Sequence, residues 1–124
     1  AQKTLTDVAK VMVDGEQAIE VEGHTDNLPI STTMYPSNWE LSSARASSVV
    51  RLFIDQGVAA KRLTAVGSAD NHPVLSNETA EGRTRNRRVT VTVLTPELER
   101  GSVTRTESAA SGIVATESAE SNKP

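Results

Sequence analysis

The sequence predicts an α/β two-layer sandwich, in which helices pack on one face of a small sheet. Two segments carry apolar residues at helical spacing, and three others alternate between apolar and polar residues or are rich in β-branched residues. Helices that alternate with strands along a chain favour this architecture. The chain has 124 residues, which corresponds to one small domain.

The first two predicted elements are a short helix and a strand. Residues 4–14 carry apolar side chains at i, i+3, i+4 and i+7, and Gly15 follows this stripe. Residues 18–22 alternate between apolar side chains and two glutamates, Glu20 and Glu22. This pattern indicates a half-buried strand whose glutamates face solvent.

The longest predicted helix covers about 38–56 and follows a loop from 23 to about 36, where prolines prevent a regular element. Ser37 and Glu40 have the spacing of a capping box, in which the hydroxyl accepts a free backbone N–H and the glutamate reaches back. Gly57 is suited to end the helix.

Arg45 is the unusual residue of this helix. At about 100° per residue it falls inside the predicted apolar face, where a guanidinium needs a partner. That face is formed by Leu41, Ala44, Ser48, Val49 and Leu52. Two interpretations follow and do not exclude each other. Arg45 forms an internal ion pair, for example with Asp26, or the two residues bind opposite ends of a zwitterionic ligand at a cleft.

The rest of the chain is predicted as a strand, a loop, a helical turn, a strand and a tail. A Ser/Thr/Glu/Ala-rich composition without an apolar period predicts disorder for the tail. The ranges are 62–66, 68–78, 79–85, 89–94 and 95–124. The predicted domain organisation is therefore 1–94 as the folded domain and 95–124 as the tail.

Composition narrows the function classes. The net charge is −3 and aromatic residues make up 2%, which argues against nucleic-acid binding. There is no cysteine, so no disulfide or thiolate site is predicted. No apolar run approaches the roughly 20 residues of a membrane helix. Because the chain starts at Ala1, we expect it to be a piece of a longer protein whose anchor or export signal lies upstream.

Other candidate sites are weaker. His24 and Asp26 are two of the three or four ligands that a metal site needs, and the other histidine, His72, lies in a distant loop. No nucleophile elbow or phosphate loop is present, so no catalytic residues, metal or cofactor are predicted. Four arginines precede the last strand, and hydrogen bonds to loop carbonyls are the simplest role for some of them. They are Arg83, Arg85, Arg87 and Arg88.

Four segments together resemble the OmpA-like C-terminal domain, over roughly residues 4–94. They are Gly23-His24-Thr25-Asp26-Asn27, Asn38-Trp39-Glu40-Leu41-Ser42-Ser43-Ala44-Arg45-Ala46, Gly67, and Asn77-Glu78-Thr79-Ala80-Glu81-Gly82-Arg83-Thr84-Arg85-Asn86-Arg87-Arg88-Val89. The resemblance implies helices on one face of a small mixed sheet, with the first family strand missing from this chain. It also implies non-covalent binding of peptidoglycan through the diaminopimelate of its stem peptide, without enzymatic activity.

The resemblance also implies roles for individual residues. Asp26 matches the aspartate that meets the ammonium of diaminopimelate, and Arg45 matches the arginine that meets its carboxylate. The remaining positions that line the cleft in the family correspond to Thr25, Asn27, Asn38, Leu41 and Arg87.

Residues 26–30 and 35–42 look most like the B subunit of the flagellar motor stator, the MotB, PomB and MotD group. This implies a periplasmic domain of a single-pass inner-membrane protein that anchors the motor for motility. It also implies a homodimer, a MotA/PomA-type A subunit as partner through a missing N-terminal membrane helix, and no nucleic acid.

Alternatives remain within and outside this family. Type VI secretion subunits share a similar Pro-Ser-Asn-Trp stretch, and peptidoglycan-associated lipoproteins share the general motif. A wall-cleaving hydrolase and a plain protein-interaction domain are the alternatives of other classes.

Overall fold

The computed structural model describes residues 2–94 and 111–118 and confirms the predicted α/β two-layer architecture. Each predicted helix and strand is present, with bounds that differ from the prediction by a few residues. A 3₁₀ turn, Ala60–Arg62, precedes the second strand. The elements are α1 Gln2–Met12, β1 Ile19–His24, α2 Asn38–Asp55, β2 Leu63–Gly67, α3 Ala80–Asn86, β3 Arg88–Leu94 and β4 Ser111–Ser118.

The described strands form one mixed sheet in the order β2-β1-β3-β4. β1 runs parallel to β2 and antiparallel to β3, and β3 runs antiparallel to β4. The carboxyl ends of β1 and β2 therefore lie at the same end of the sheet as the start of β3. The loops at this end carry the residues that the sequence singled out.

The core lies between one face of the sheet and the helices α1 and α2. The predicted stripe of α1 is buried against it, while the alternation of β1 sends its apolar side chains to this face. Burial of these apolar side chains is the main stabilising term of the domain. The cluster comprises Leu5, Ala9, Met12, Ile19, Val21, Ala46, Val49, Phe53, Val58, Val89 and Val91.

The buried face of α2 differs from the prediction. Ser42, Ala46, Val49 and Phe53 form the buried stripe, whereas Ser48 is exposed. Helical projection places this stripe roughly 100° from the predicted one, about one residue around the helix. Arg45 consequently lies at the border of the buried face and is half-buried.

A close approach of α2 to β1 explains this rotation. A Cβ atom at Gly23 would lie 2.1 Å from the backbone oxygen of Ser42, so only glycine permits the contact. On the α2 side, the small side chain of Ser42 also allows the two elements to lie this close. The ends of α2 are as predicted, with the Ser37 hydroxyl accepting the N–H of Trp39 and Gly57 at φ 110°.

The tail differs from the prediction in its described part. Ser111–Ser118 pairs with β3 as an edge strand, where disorder was expected. The segment contains Gly112-Ile113-Val114-Ala115-Thr116, whose β-branched residues suit a strand, and β3 otherwise presents an unpaired edge. The rest of the predicted tail, 95–110 and 119–124, lies outside the described residues.

Candidate ligand-binding site

Three segments meet at the end of the sheet where β1 stops. They are the loop that follows β1, the first two turns of α2, and the junction between α3 and β3. Each brings one charged side chain that the sequence singled out, namely Asp26, Arg45 and Arg87. The buried contact between Gly23 and Ser42 fixes the first two segments relative to each other.

Asp26 forms an ion pair with Arg87. Its Oδ2 atom lies 2.5 Å from Nη1 of Arg87, and its Oδ1 atom accepts the backbone N–H of Leu28 at 3.1 Å. The second Arg87 amino group donates to the Thr84 hydroxyl at 3.1 Å. The side chain of Asp26 is 8% exposed and that of Arg87 is 22% exposed, so the pair borders solvent through the arginine.

Among the described residues Arg45 forms no ion pair, in contrast to one of the two sequence interpretations, and Asp26 is paired with Arg87 instead. Its Nη1 atom is buried and has no hydrogen-bond partner within residues 2–94 and 111–118. Burial lowers the pKa of the Arg45 guanidinium, and repulsion from Arg87 lowers this pKa further, while Tyr35 and Asp26 offset part of the effect. Nη1 of Arg45 is thus a cationic donor that has no acceptor in the part of the chain that the structure describes.

Asn38 and Thr25 brace the loop that carries Asp26. The Asn38 amide donates to the backbone oxygen of Leu28 at 3.1 Å and to that of Asp26 at 3.5 Å. The Thr25 hydroxyl donates to the backbone oxygen of Asp26 at 2.8 Å and is buried. These contacts show how the two residues hold the loop. Of the other predicted site residues, Asn27 is exposed and Leu41 is half-buried.

A second loop, residues 74–77, is fixed to the same region by Asn86. Its Oδ1 atom accepts the N–H groups of Val74 and Leu75, at 2.7 and 3.1 Å. Its Nδ2 atom donates to the backbone oxygen of Leu75 at 2.9 Å and to Oδ1 of Asn77 at 2.8 Å. Asn86 is fully buried, so its amide depends on these four contacts for its hydrogen bonds, although Val74 and Leu75 are themselves exposed.

Two of the four clustered arginines have the role of pinning loops, as predicted for some of them. Arg83 donates to the backbone oxygen of Asn77 at 2.9 Å, and Arg88 donates to that of His72 at 3.0 Å. Burial lowers the pKa of Arg88, and the nearby Glu22 carboxylate offsets part of this effect. Arg85 is exposed.

Glu22 is placed differently from the prediction. It does not simply face solvent, because Ser68 donates a short hydrogen bond to its carboxylate and His24 Nε2 lies 3.6 Å from it. These contacts, with that of His24 the strongest, lower the pKa of Glu22 to about 2 despite partial burial. The alternation of the strand identifies the face of Glu22 but gives no signal for Ser68, which lies 46 residues later.

β1 ends at His24, two residues beyond the predicted strand, and the His24 side chain is buried. Its ring meets that of His72 edge-on with centroids 5.9 Å apart, a contact that the sequence did not indicate. Its Nδ1 atom has no hydrogen-bond partner among the described residues. Within the same residues there is no cluster of three or more His, Cys, Asp or Glu side chains that is suited to a metal ion.

A positioning residue that sequence reasoning missed is Arg62. It is buried and donates to the backbone oxygens of Met12 at 2.7 Å and Gln17 at 2.8 Å. These bonds hold the end of α1 and the chain that leads into β1. A buried arginine next to a strand gives no sequence signal for partners 45 and 50 residues away.

The sequence matches the model of the OmpA family over residues 1–87. Among curated proteins, it is 42% identical to Motility protein B of Bacillus subtilis over 85 residues, which is 68% of this chain and 33% of that protein. The chain spans between 33% and 40% of the length of the first curated relatives that it matches.

Two solved structures extend the comparison. The cell wall anchor of the type VI secretion system from Pseudomonas aeruginosa is 47% identical, with a TM-score of 0.69, and the match covers 74% of this chain and 64% of that one. The periplasmic domain of Helicobacter pylori MotB is 27% identical, with a TM-score of 0.70, and the match covers 79% and 65%. No helix within the described residues is long and apolar enough to cross a membrane.

Proposed function

Because the chain belongs to the OmpA family, we propose that it is a non-catalytic anchor that binds peptidoglycan through the diaminopimelate of the stem peptide. The observation that carries the proposal is the buried Nη1 of Arg45, which has no acceptor among the described residues. An unsatisfied buried donor costs about 1–3 kcal/mol, and a ligand carboxylate removes this cost. The relatives named for motility and for cell wall anchoring support the same reading.

The charges of the site fit a zwitterionic ligand, because the site offers both cationic and anionic side chains. Arg45 and Arg87 are cationic and Asp26 is anionic, so these three groups together carry one net positive charge. The free end of diaminopimelate has an ammonium and a carboxylate on one carbon atom. In the proposed complex the carboxylate accepts from Arg45, and the ammonium donates to Asp26 beside Arg87. Charge-assisted hydrogen bonds of this kind are the strong ones.

Thr25, Asn27, Asn38, Leu41 and Arg87 complete the proposed site. Asn38 and Thr25 hold the Asp26 loop in place through the hydrogen bonds described above. Arg87 holds the Asp26 carboxylate in place through its ion pair. The exposed Asn27 amide is available to the peptide backbone of the ligand, and Leu41 supplies apolar contact from α2.

The test is co-sedimentation with purified peptidoglycan, with folding of each protein checked by circular dichroism. Wild type is expected to pellet with the polymer, and folded Asp26→Ala and Arg45→Ala are expected to remain in solution. Intact polymer after incubation supports an anchor, whereas soluble fragments indicate a wall-cleaving hydrolase. Absence of wild type from the pellet contradicts wall binding and favours a protein-interaction domain.

A matched pair of ligands tests the chemical part of the proposal. Lysine has the side chain of diaminopimelate without the terminal carboxylate. A stem tripeptide with diaminopimelate is expected to bind wild type about tenfold or more tightly than the same peptide with lysine, as loss of a charged hydrogen bond predicts. Arg45→Ala is expected to bind both peptides equally. Equal binding of both by wild type contradicts the role of Arg45.

The anchored machine is proposed to be a flagellar motor stator. In this proposal the chain is the periplasmic domain of a homodimeric, single-pass inner-membrane protein that works with a MotA/PomA-type subunit. A chimera in which this chain replaces the wall domain of a MotB protein is expected to restore swimming, and its Arg45→Ala form is not. The second candidate is a type VI secretion subunit, because the chain is 47% identical to the Pseudomonas aeruginosa anchor. Failure of the chimera would support this second candidate.

A further inference from the structure

His24 is a buried titratable side chain that takes no part in the proposed ligand site. It is 3% exposed, and its Nε2 atom lies 3.6 Å from the Glu22 carboxylate. Because Nε2 faces an acceptor, the proton of the neutral ring is assigned to this nitrogen. Nδ1 is buried and has no hydrogen-bond partner within residues 2–94 and 111–118. Protonation of Nδ1 therefore creates a buried cationic N–H without an acceptor, which is a costly arrangement.

Charged groups from several elements surround His24. Arg88 on β3 is its register partner and interacts with the Glu22 carboxylate. The ring of His72 meets the His24 ring edge-on, with centroids 5.9 Å apart. With both rings neutral, the charges of Glu22 and Arg88 balance. Protonation of both rings adds two positive charges beside Arg88, and like charges at such distances repel. Among the described residues the set comprises Glu22 on β1, Arg88 on β3, His72 and the exposed Asp70 in the 68–73 loop, and the paired Asp26 and Arg87 beyond the end of β1.

The loop that follows β2 and carries His72 is hydrogen-bonded to β1 and to the ligand site. The backbone N–H of Ser68 donates to the backbone oxygen of Gly23 at 3.0 Å. The backbone oxygen of Ala69 accepts the N–H of Thr25 at 2.8 Å. Because Thr25 directly precedes Asp26, this second bond ties the loop to the segment that holds the carboxylate of the site.

The backbone of this loop is strained at Ala69. Its φ is 52°, in the left-handed region that residues with a Cβ atom rarely adopt, and the residue is buried. The N–H of Ala69 donates to the Ser42 hydroxyl at 3.0 Å. A conformation of this kind persists only where the surrounding contacts hold it. Weakening the contacts at His24 and His72 therefore allows the loop to relax away from β1.

We propose that His24 and His72 form an acid-sensitive latch, which holds the 68–73 loop against β1 while both rings are neutral and releases it when they become protonated, below about pH 6. They are the two histidines of the chain, so the side chains that change charge in this range are concentrated here. Release reaches Asp26 through the bond between Thr25 and Ala69, and ligand binding weakens in acid. This last step rests on the proposed function, whereas the latch itself does not.

Amide hydrogen exchange, followed by NMR on the intact chain at pH 7.5 and pH 5.5, measures the latch directly. The results are compared as protection factors, which correct for the intrinsic effect of pH on exchange. In wild type the protection of the N–H groups of Thr25, Ser68 and Ala69 is expected to fall by about 10- to 100-fold at pH 5.5. Each histidine that charges only in the open loop contributes up to about tenfold over this range. The N–H of Val58, which donates to Phe53 after the far end of α2, is expected to keep its protection.

Glutamine variants separate the contributions of the two histidines. His72→Gln is expected to reduce the acid-induced loss of protection to about tenfold or less, and the double variant His24→Gln/His72→Gln is expected to abolish it. Glutamine is neutral at both pH values, and its amide keeps a donor for Glu22. Asp70→Asn is the matched control, because Asp70 is exposed in the same loop. It is expected to respond as wild type, and circular dichroism at pH 7.5 confirms that each variant is folded.

Co-sedimentation with purified peptidoglycan at the same two pH values measures the effect on binding. The apparent affinity falls with the fraction of molecules whose loop stays closed, and wild type is expected to bind about twofold or more weakly at pH 5.5. The double variant is expected to bind equally at both pH values. Its equal binding also shows that the polymer itself does not cause the change.

The outcomes separate the latch from the function of the site. Equal protection of wild type at both pH values overturns the latch. A loss of protection in His72→Gln as large as that of wild type also overturns it, and this comparison does not need a folded double variant. Loss of protection with unchanged wall binding supports the latch and overturns its link to Asp26. Wild type that pellets at neither pH overturns the proposed function, while the protection factors still decide the latch.

Discussion

Replacing Arg45 with methionine is expected to stabilise the domain and to abolish wall binding. The guanidinium is half-buried, its Nη1 atom has no acceptor among the described residues, and Arg87 repels it. Methionine has a similar helix propensity and a flexible apolar side chain that fits irregular space. The substitution therefore removes a cost without leaving a cavity.

The magnitude follows from the unsatisfied donor. Such a group costs about 1–3 kcal/mol, and the attraction of Asp26 and Tyr35 for the cation offsets part of this cost. We expect the free energy of unfolding to rise by about 1 kcal/mol, which corresponds to a Tm increase of about 4–8 °C for a domain of this size. Loss of the charged contact to the ligand is expected to weaken binding by about 1.5–3 kcal/mol, or roughly 10- to 150-fold.

Urea denaturation measures the stability and co-sedimentation with peptidoglycan measures the binding. Arg51→Met is the matched control on the same helix, since Arg51 is exposed and donates only to Ser48 at 3.3 Å among the described contacts. It is expected to change the stability by less than about 0.5 kcal/mol and to leave binding unchanged. A loss of 1 kcal/mol or more in Arg45→Met refutes the reasoning, because it shows that the guanidinium has a stabilising partner in the free protein.

Three further predictions concern the support of the site. Gly23→Ala is expected to lower the free energy of unfolding by more than about 3 kcal/mol in urea titrations, because its Cβ would lie 2.1 Å from the Ser42 carbonyl oxygen; a loss below 1 kcal/mol contradicts the close approach. Asn86→Ala is expected to cost about 3 kcal/mol and to speed amide hydrogen exchange in residues 74–77, because it removes four hydrogen bonds made by a buried amide; unchanged exchange there contradicts the bracing role. Glu22 has a pKa lowered to about 2 in the folded state, so its contribution is present above the usual pKa and is lost as the pH falls from about 5 towards 2. Since this side chain is 25% exposed and solvent screens it, wild type is expected to lose about 1 kcal/mol more stability than Glu22→Gln between pH 6 and pH 3; parallel losses contradict the pairing with Ser68 and His24.

The secondary structure was predictable because its boundaries depend on local chemistry. The cap at Ser37 and the left-handed Gly57 mark the ends of the longest helix within the sequence itself. The alternation in β1 and β3 needs only neighbouring residues to be recognised. These signals do not depend on how the elements pack.

The rotation of α2 was not predictable, because it depends on a contact between distant residues. Several rows of this helix have similar apolarity, so periodicity alone favoured the row with Ser48 over the row with Ala46 and Phe53. The contact of Gly23 with the Ser42 carbonyl decides between them. Tertiary packing of this kind overrides the local pattern.

The sequence identified the charged residues that meet at this end of the sheet, but it did not identify which of them pair with each other. The sequence drew attention to Arg45 and Asp26, and the family resemblance implied that Arg87 lies in the same cleft. It gave no means to decide which arginine the carboxylate prefers. The structure pairs Asp26 with Arg87, whose backbone N–H continues the hydrogen bonds of α3 and whose position is thereby fixed. The strand at Ser111–Ser118 was not predicted, because the polar composition of the tail as a whole hides the short β-branched segment at the centre of this strand.

The proposed role as an anchor requires that force on the ligand reach the core without opening the site. Asp26 follows β1 closely, and β1 pairs with β2 on one side and with β3 on the other. A displacement of Asp26 that moves β1 therefore breaks two hydrogen-bond ladders. Arg45 belongs to α2, which is held against β1 at Gly23. A pull on both charges is therefore shared by β1, by the two strands that pair with it and by α2. Because the contacts to one ligand contribute a few kcal/mol and a small domain is stable by about 5–15 kcal/mol, the link to the wall is expected to release before the fold does.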